Sequence, residues 1–299
     1  MNRTTATFVL VLATMFWGFA FIAQKNAMSH MGPLTFIGAR YLLGGLVILP
    51  LAILEYKRVA RALTRRQWAI LSFLSINFFL GSYLQQKGLL ATTVTNGGFL
   101  TGLYVFFVPI ILLFVFRTKP HNIVWASAPL ALVGLYLLNG ATLDQINSGD
   151  ALIIASAAFW GMHVLLLGFL SRETKLPVFI SCLSFLAAGL MAEAGSFAFE
   201  APTLASVTDG WIEIAYTGIF STAIAFTLQA VGQLHVPPAN AAIILSGEAL
   251  FAAAGAAVVL GERLPPLGYL GALIMFFSIV LVETIPALAR RQSGASAKS

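Results

Sequence analysis

Ten apolar runs follow one another along this chain with only short breaks between them. They lie at roughly 5–24, 33–54, 67–86, 93–116, 122–139, 150–170, 177–199, 211–233, 239–260 and 266–286. An α-helix needs about 20 apolar residues to cross the hydrocarbon core of a bilayer. Within lipid every backbone N–H and C=O must be satisfied by the segment itself, so runs of this length are predicted to be helices. Charge supports the same reading. Only 9% of the 299 residues are charged and 59% are hydrophobic, whereas a soluble domain carries about a quarter charged residues. The expected class is an all-α membrane protein with ten transmembrane helices.

The net charge of +6 is not the mark of a nucleic-acid partner. Its basic residues sit in short loops between apolar runs, where they report orientation instead. With the N-terminus inside, thirteen Lys and Arg residues fall in inside segments, five of them between Lys57 and Arg66, against three outside: Lys25, Lys87 and Arg263. Both termini are therefore expected in the cytoplasm. The first run is too long for a signal-peptide core and no A-x-A site follows it, so it is read as a retained helix. Cys182, the only cysteine, excludes an intrachain disulfide and a cysteine-based metal site.

The chain also repeats itself. "FWGFA" at 16–20 returns as "FWGMH" at 159–163, a shift of 143. With the shift raised to 144, Leu84-Gln85 meets Leu228-Gln229, Gly88 meets Gly232, Asn96 meets Asn240 and Phe107 meets Phe251. Each half thus holds five spans, over 1–141 and 148–290, with a tail at 291–299. Because five is odd, the second half must enter the membrane from the opposite side. Two inverted five-helix repeats around a central cavity are the architecture of many secondary transporters, which bind substrate near the midplane between the repeats.

On these residues the chain resembles the EamA family of the drug/metabolite transporter superfamily, over essentially its whole length. The resemblance rests on "FWGFAFIAQK" in the first span, "FIGARYLLGGLVILPLA" in the second, "NGGFLTGLYVFFVPIILLF" in the fourth and "NAAIILSGEALFAAAGAAVVLGERLPPLGYLGALI" across the last two, with its Gly261-Glu262 pair. It implies a ten-helix carrier of a bacterial inner membrane, with a cavity lined mainly by spans 1, 3, 4, 6, 8 and 9. Amino-acid exporters, including the aromatic amino-acid branch, are the nearest comparison. One departure stands out: family members often place a Pro after the acidic residue of the ninth span, and here Ala249 follows Glu248, so no helix break is expected there.

Helical spacing selects the candidate substrate-binding residues. Span 1 offers Trp17, Phe21 and Gln24 on one stripe. Span 3 offers Phe79, Tyr83 and Gln86, span 4 Asn96 and Phe99, and span 6 Trp160 and His163. Span 8 adds Phe226 and Gln229, and span 9 adds Asn240. Amides can hold the amino and carboxylate groups of a zwitterion while rings stack on a flat side chain; the same residues also serve as packing or as hydrogen-bonded links between helices. Glu248 lies near the middle of span 9, where a charged carboxylate facing lipid costs about 3 kcal/mol or more. It must face the protein interior, be protonated, or both, which fits a proton-coupling site or a neutral structural acid. His163 is read as a packed imidazole or a cavity ligand. Arg40, about two turns from a helix end, is expected to snorkel toward the interface. Glu193 and Glu283 are expected at the interface, and Gly98 and Gly102 in close helix packing.

Other classes fit less well. A rhomboid-like protease needs a G-x-S-G loop, and "ILSGEA" lacks its first Gly; no H-E-x-x-H motif is present. A channel or lipid scramblase would keep the topology without a discrete site. The expectation is a monomeric carrier of a small molecule, in contact with membrane lipid, without cofactor or metal, and not an enzyme.

Overall fold

The computed structural model describes residues 1–60, 62–141, 147–261 and 263–296, with side chains as far as 285 except 283. Glu262, the side chain of Glu283 and the tail side chains therefore lie outside the described residues. Among those described, every regular element is a helix. Five spans are single helices: α1 (Arg3–Ala27), α2 (Pro33–Val59), α3 (Arg65–Gly88), α7 (Ser148–Thr174) and α8 (Pro177–Phe199). Three are composite: α4 (Val94–Gly102) with α5 (Tyr104–Phe114); α10 (Trp211–Tyr216), a π-helical segment (Thr217–Phe226) and α11 (Thr227–Gly232); and α12 (Pro238–Leu245) with α13 (Glu248–Val259). These eight are long and apolar enough to cross a membrane. Two further helices, α6 (Asn122–Leu138) and the Pro266–Val282 part of α14 (Pro266–Ser296), are apolar but shorter, and α9 (Leu204–Asp209) lies between α8 and α10.

Local chemistry sets the helix starts. Thr64 with Gln67, and Asn147 with Asp150, form reciprocal capping boxes that satisfy backbone N–H groups left without intrahelical partners. Pro33, Pro177 and Pro238 open α2, α8 and α12, where a missing N–H costs nothing.

Packing follows the sequence repeat. α2 lies on α8, α6 on α14, α3 on α7, and α1 on the π segment and α11. α4 lies on α13 and α5 on α12, while α1 also meets α13 as α7 meets α5. Exchanging the two halves maps this set of contacts onto itself.

The breaks repeat too. Span 4 breaks at Leu103 and span 9 at Ser246-Gly247, so that the second half-helices begin at Tyr104 and Glu248, positions 144 apart. This corrects the expectation of an unbroken ninth span. No proline is needed, because tighter i→i−3 bonds make the turn: Gly247 N to Ile244 O at 3.1 Å and Leu250 N to Gly247 O at 3.0 Å, matched by Leu103 N to Leu100 O at 3.3 Å and Phe106 N to Leu103 O at 3.0 Å.

The glycine of each "FWG" motif faces the half-helix beyond the break. A Cβ on Gly18 would lie 2.3 Å from Phe251 Cβ and 2.7 Å from Ala252 N; one on Gly161 would lie 3.1 Å from Phe107 Cβ. Phe251 and Phe107 are themselves register partners. Gly98, as expected, permits a close approach, since a Cβ there would sit 2.8 Å from Ala252 Cβ.

Two cations hold equivalent turns at opposite ends of the bundle. Lys25 Nζ donates to Leu89 O at 2.6 Å and Thr92 O at 2.9 Å. Arg172 Nε donates to Gln233 O at 2.7 Å and its Nη2 to Val236 O. The four carbonyls are pairwise 144 residues apart. Asn147 Nδ2 donates to Ala91 O at 3.0 Å, which puts the start of α7 beside the Lys25 latch and Arg172 near the helix's far end, about 35–40 Å away. The α2–α8 pair is tied at both ends as well. Glu200 accepts from Leu34 N and Thr35 N, each at 2.8 Å, and Glu55 accepts from Phe179 N at 2.8 Å, each carboxylate complementing the partner helix's N-terminus.

Candidate functional site

The helices surround a central cavity of about 40 Å³, lined by sixteen residues. None of them exposes more than 8% of its surface, the maximum reached by Trp17 and Trp160.

Its wall is aromatic around Phe226, the last residue of the π segment. Trp17 packs on that ring with centroids 4.6 Å apart, Phe78 meets it edge-on at 5.0 Å, and Trp160 stacks on it at 5.8 Å and 18°. The two repeated tryptophans therefore converge on one ring. Trp17 is fixed further by donating Nε1 to the carbonyl of Ser221 at 3.0 Å, backbone of the π segment, a helix form that recurs at functional sites.

Sequence register pairs the lining. Trp17 and Trp160, and Phe21 and Val164, are 143 residues apart; Gln85 and Gln229, Thr101 and Leu245, and Tyr104 and Glu248 are 144 apart. Tyr104 and Glu248 are the first residues after the two helix breaks, so each break presents a polar group to the chamber.

Polar capacity converges there and is only partly met. Gln24 Oε1, Arg40 Nε and Trp160 Nε1 are buried with no hydrogen-bond partner among the described residues, while Tyr104 faces Glu248 and His163 faces Gln229. Buried polar atoms are nearly always paired, and leaving one unmatched costs about 1–3 kcal/mol. Such a concentration marks a place where a polar ligand can complete the bonding. Among the described residues, no group of three or more His, Cys, Asp or Glu side chains is placed to hold a metal ion.

Of the candidates drawn from the sequence, Trp17, Phe21, Gln24, Trp160, His163, Phe226, Gln229 and Glu248 line the chamber. Six lie outside the lining. Phe79 and Tyr83 are half-buried and stack on one another at 6.2 Å. Gln86 donates to Gln24 O at 2.9 Å, and Phe99 is packed in the core. Asn96 bridges Thr92 Oγ1 at 2.8 Å and Asp150 Oδ1 at 2.7 Å, while Asn240 donates to Val282 O at 3.0 Å. On α3 the inward stripe is Phe78, Ser82 and Gln85, one residue round from the expected face. Gln85 donates to Thr101 Oγ1 at 2.8 Å.

Arg40 requires correction. It does not snorkel: it is 3% exposed and lines the chamber with Tyr41. Pairing Arg40-Tyr41 on span 2 with the amide face of span 3 was the available clue. Ser246, the serine of "ILSGEA", donates its hydroxyl to Ile243 O at 2.8 Å, as a helix serine does.

Membrane-length helices around a buried polar and aromatic chamber mark an integral membrane protein. A model of the EamA-like transporter family matches the chain twice, over residues 4–140 and 147–284. An uncharacterized transporter of Archaeoglobus fulgidus is 30% identical over 288 residues, covering 95% of this chain and 87% of its own. The uncharacterized transporter YwfM of Bacillus subtilis is 28% identical over 314 residues, covering 99% of each. A solved crystal structure shares the fold with a TM-score of 0.77 at 16% identity, over 97% of this chain and 99% of that one. The chain belongs to the EamA-like transporter family and holds two of its repeats.

Proposed function

We propose that the protein is a secondary carrier of small polar metabolites, with amino acids, aromatic ones included, as the substrate class. It works by alternating access between two inverted five-helix repeats. The observation that carries this reading is the central chamber, in which buried polar groups, three of them with unmatched atoms, and stacked rings occupy the same wall. An amino acid offers the complement: charged ends for the polar atoms and a flat side chain for the rings.

The inversion and the ten-span topology draw support from the register-paired lining, the packing that survives exchange of halves, and the latches at opposite ends. Charge distribution supports cytoplasmic termini in a bacterial inner membrane, with Lys25 at the outer face and Arg172 at the inner. Ten fused spans complete the inverted pair in one chain, so the working unit is a monomer. Net export is the direction that the family resemblance favours.

The test is counterflow of labelled phenylalanine into loaded proteoliposomes, with unlabelled tryptophan, threonine and cysteine as competitors. Saturable accumulation blocked best by tryptophan is expected; uptake linear in concentration, with no competition, would argue for a pore. Trp17→Ala and Trp160→Ala are expected to raise the apparent KM. Glu248, at the first turn beyond the ninth-span break, is the proposed coupling acid. Glu248→Gln should remove the response of uptake to an imposed pH gradient while leaving counterflow, and an unchanged response would leave Glu248 a structural acid.

A further inference from the structure

We infer that Arg40 is the carboxylate receptor of the chamber and restricts its substrates to those bearing one carboxylate group. The inference rests on the carrier reading above and assigns a role to a residue outside the aromatic stripes.

A guanidinium in the interior of a membrane protein is normally matched by a carboxylate or by backbone carbonyls. Arg40 has neither. It is 3% exposed, its Nη2 donates to Tyr41 Oη at 3.1 Å, and no carboxylate among the described residues pairs with it. Its Nε, fully buried, has no acceptor among the described residues. The one bond it makes is part of a directional chain. Ser82 donates to Phe78 O at 2.7 Å, so its oxygen accepts from Tyr41, whose oxygen in turn accepts from Arg40. Every proton in that chain points away from Arg40, which leaves Tyr41 unable to donate to a ligand and Arg40 the only cation lining the chamber.

The group is also held in place. Its guanidinium carbon lies 4.6 Å from the centroid of the Tyr41 ring and 5.2 Å from that of Phe36, contacts that favour a cation over a ring face. A fixed planar fork with unmatched N–H groups suits a planar carboxylate, which it can meet with two parallel bonds. A dianionic phosphate is disfavoured, because one cation faces it and Glu248 lines the same chamber. A single carboxylate balances Arg40, and an amine on the same molecule balances Glu248.

The experiment compares L-phenylalanine with phenethylamine, its decarboxylated analogue, in counterflow and in thermal stabilisation of the purified full-length protein. Wild type should respond to phenylalanine and not to phenethylamine. R40Q should weaken the phenylalanine response about 10- to 100-fold, the range for a lost charge-assisted bond. R40K, which keeps the charge and loses the fork, should fall between, and it preserves the test if R40Q does not yield folded protein. Wild-type-like phenylalanine counterflow in R40Q overturns the Arg40 assignment and leaves the carrier reading intact. An equal response of wild type to phenethylamine does the same. Saturable counterflow of neither compound, with no thermal stabilisation by either, overturns both.

Discussion

Gly18→Ala is expected to destabilise the protein by at least about 1–3 kcal/mol, the usual range for forcing a methyl group into a packed interior. The new Cβ would fall 2.3 Å from Phe251 Cβ and 2.7 Å from the Ala252 backbone nitrogen. A side-chain rotation cannot relieve a clash with backbone, so α1 and α13 must separate just beyond the break that carries Glu248. Gly161→Ala, its counterpart in the second repeat, meets Phe107 Cβ at 3.1 Å and Val108 at an ordinary 3.5 Å and should cost within about 1 kcal/mol, a shift of a few tenths of an ångström sufficing. Thermal unfolding of detergent-purified variants, followed by loss of the monodisperse peak, measures both. Equal effects at the two glycines would contradict the packing described.

Phe226→Ala should abolish saturable transport and lower stability by about 3–5 kcal/mol, as expected for a large buried ring. This residue is 6% exposed and touches Trp17, Phe78, Trp160, His163 and Phe185. Removing it takes away the surface on which both repeats' tryptophans converge. Phe226→Leu restores most of the volume and should recover stability more than transport, because the chamber needs the flat face and the core needs only the bulk. Phe197, 75% exposed on the outside of the bundle, is the control, and its Ala variant should resemble wild type. Normal counterflow in a folded Phe226→Ala protein would remove the aromatic wall from the mechanism.

Much of the fold was legible in the sequence because lipid leaves the backbone so few choices. Run length alone marked the eight helices long and apolar enough to cross a membrane, and the repeated "FWG" motif anticipated that Trp17 and Trp160 would share one chamber, whereas Gln85, the register partner of Gln229, lines it in place of the expected Gln86. The face of α3 was not legible. Phe78 and Phe79 are neighbours with equal claims, and since lipid tolerates a ring as well as the core does, polarity contrast could not choose between them. Asn96 and Asn240 show that register does not fix role. They occupy equivalent positions, yet one ties a turn to Asp150 and the other a helix to Val282. Arg40 was hidden for a different reason: distance from a helix end says that snorkelling is possible, but only packing shows that Tyr41 and Phe36 enclose the guanidinium.

Alternating access to one chamber is the central claim, and accessibility of a single chamber thiol measures it most directly. Ser221→Cys in a Cys182→Ser background would be labelled by a membrane-impermeant methanethiosulfonate from each side of oriented vesicles. Removing the outer latch with Lys25→Ala should speed labelling from outside and slow it from inside, and removing the inner latch with Arg172→Ala should do the reverse. Both variants speeding labelling from both sides would instead describe a pore, and would contradict the account.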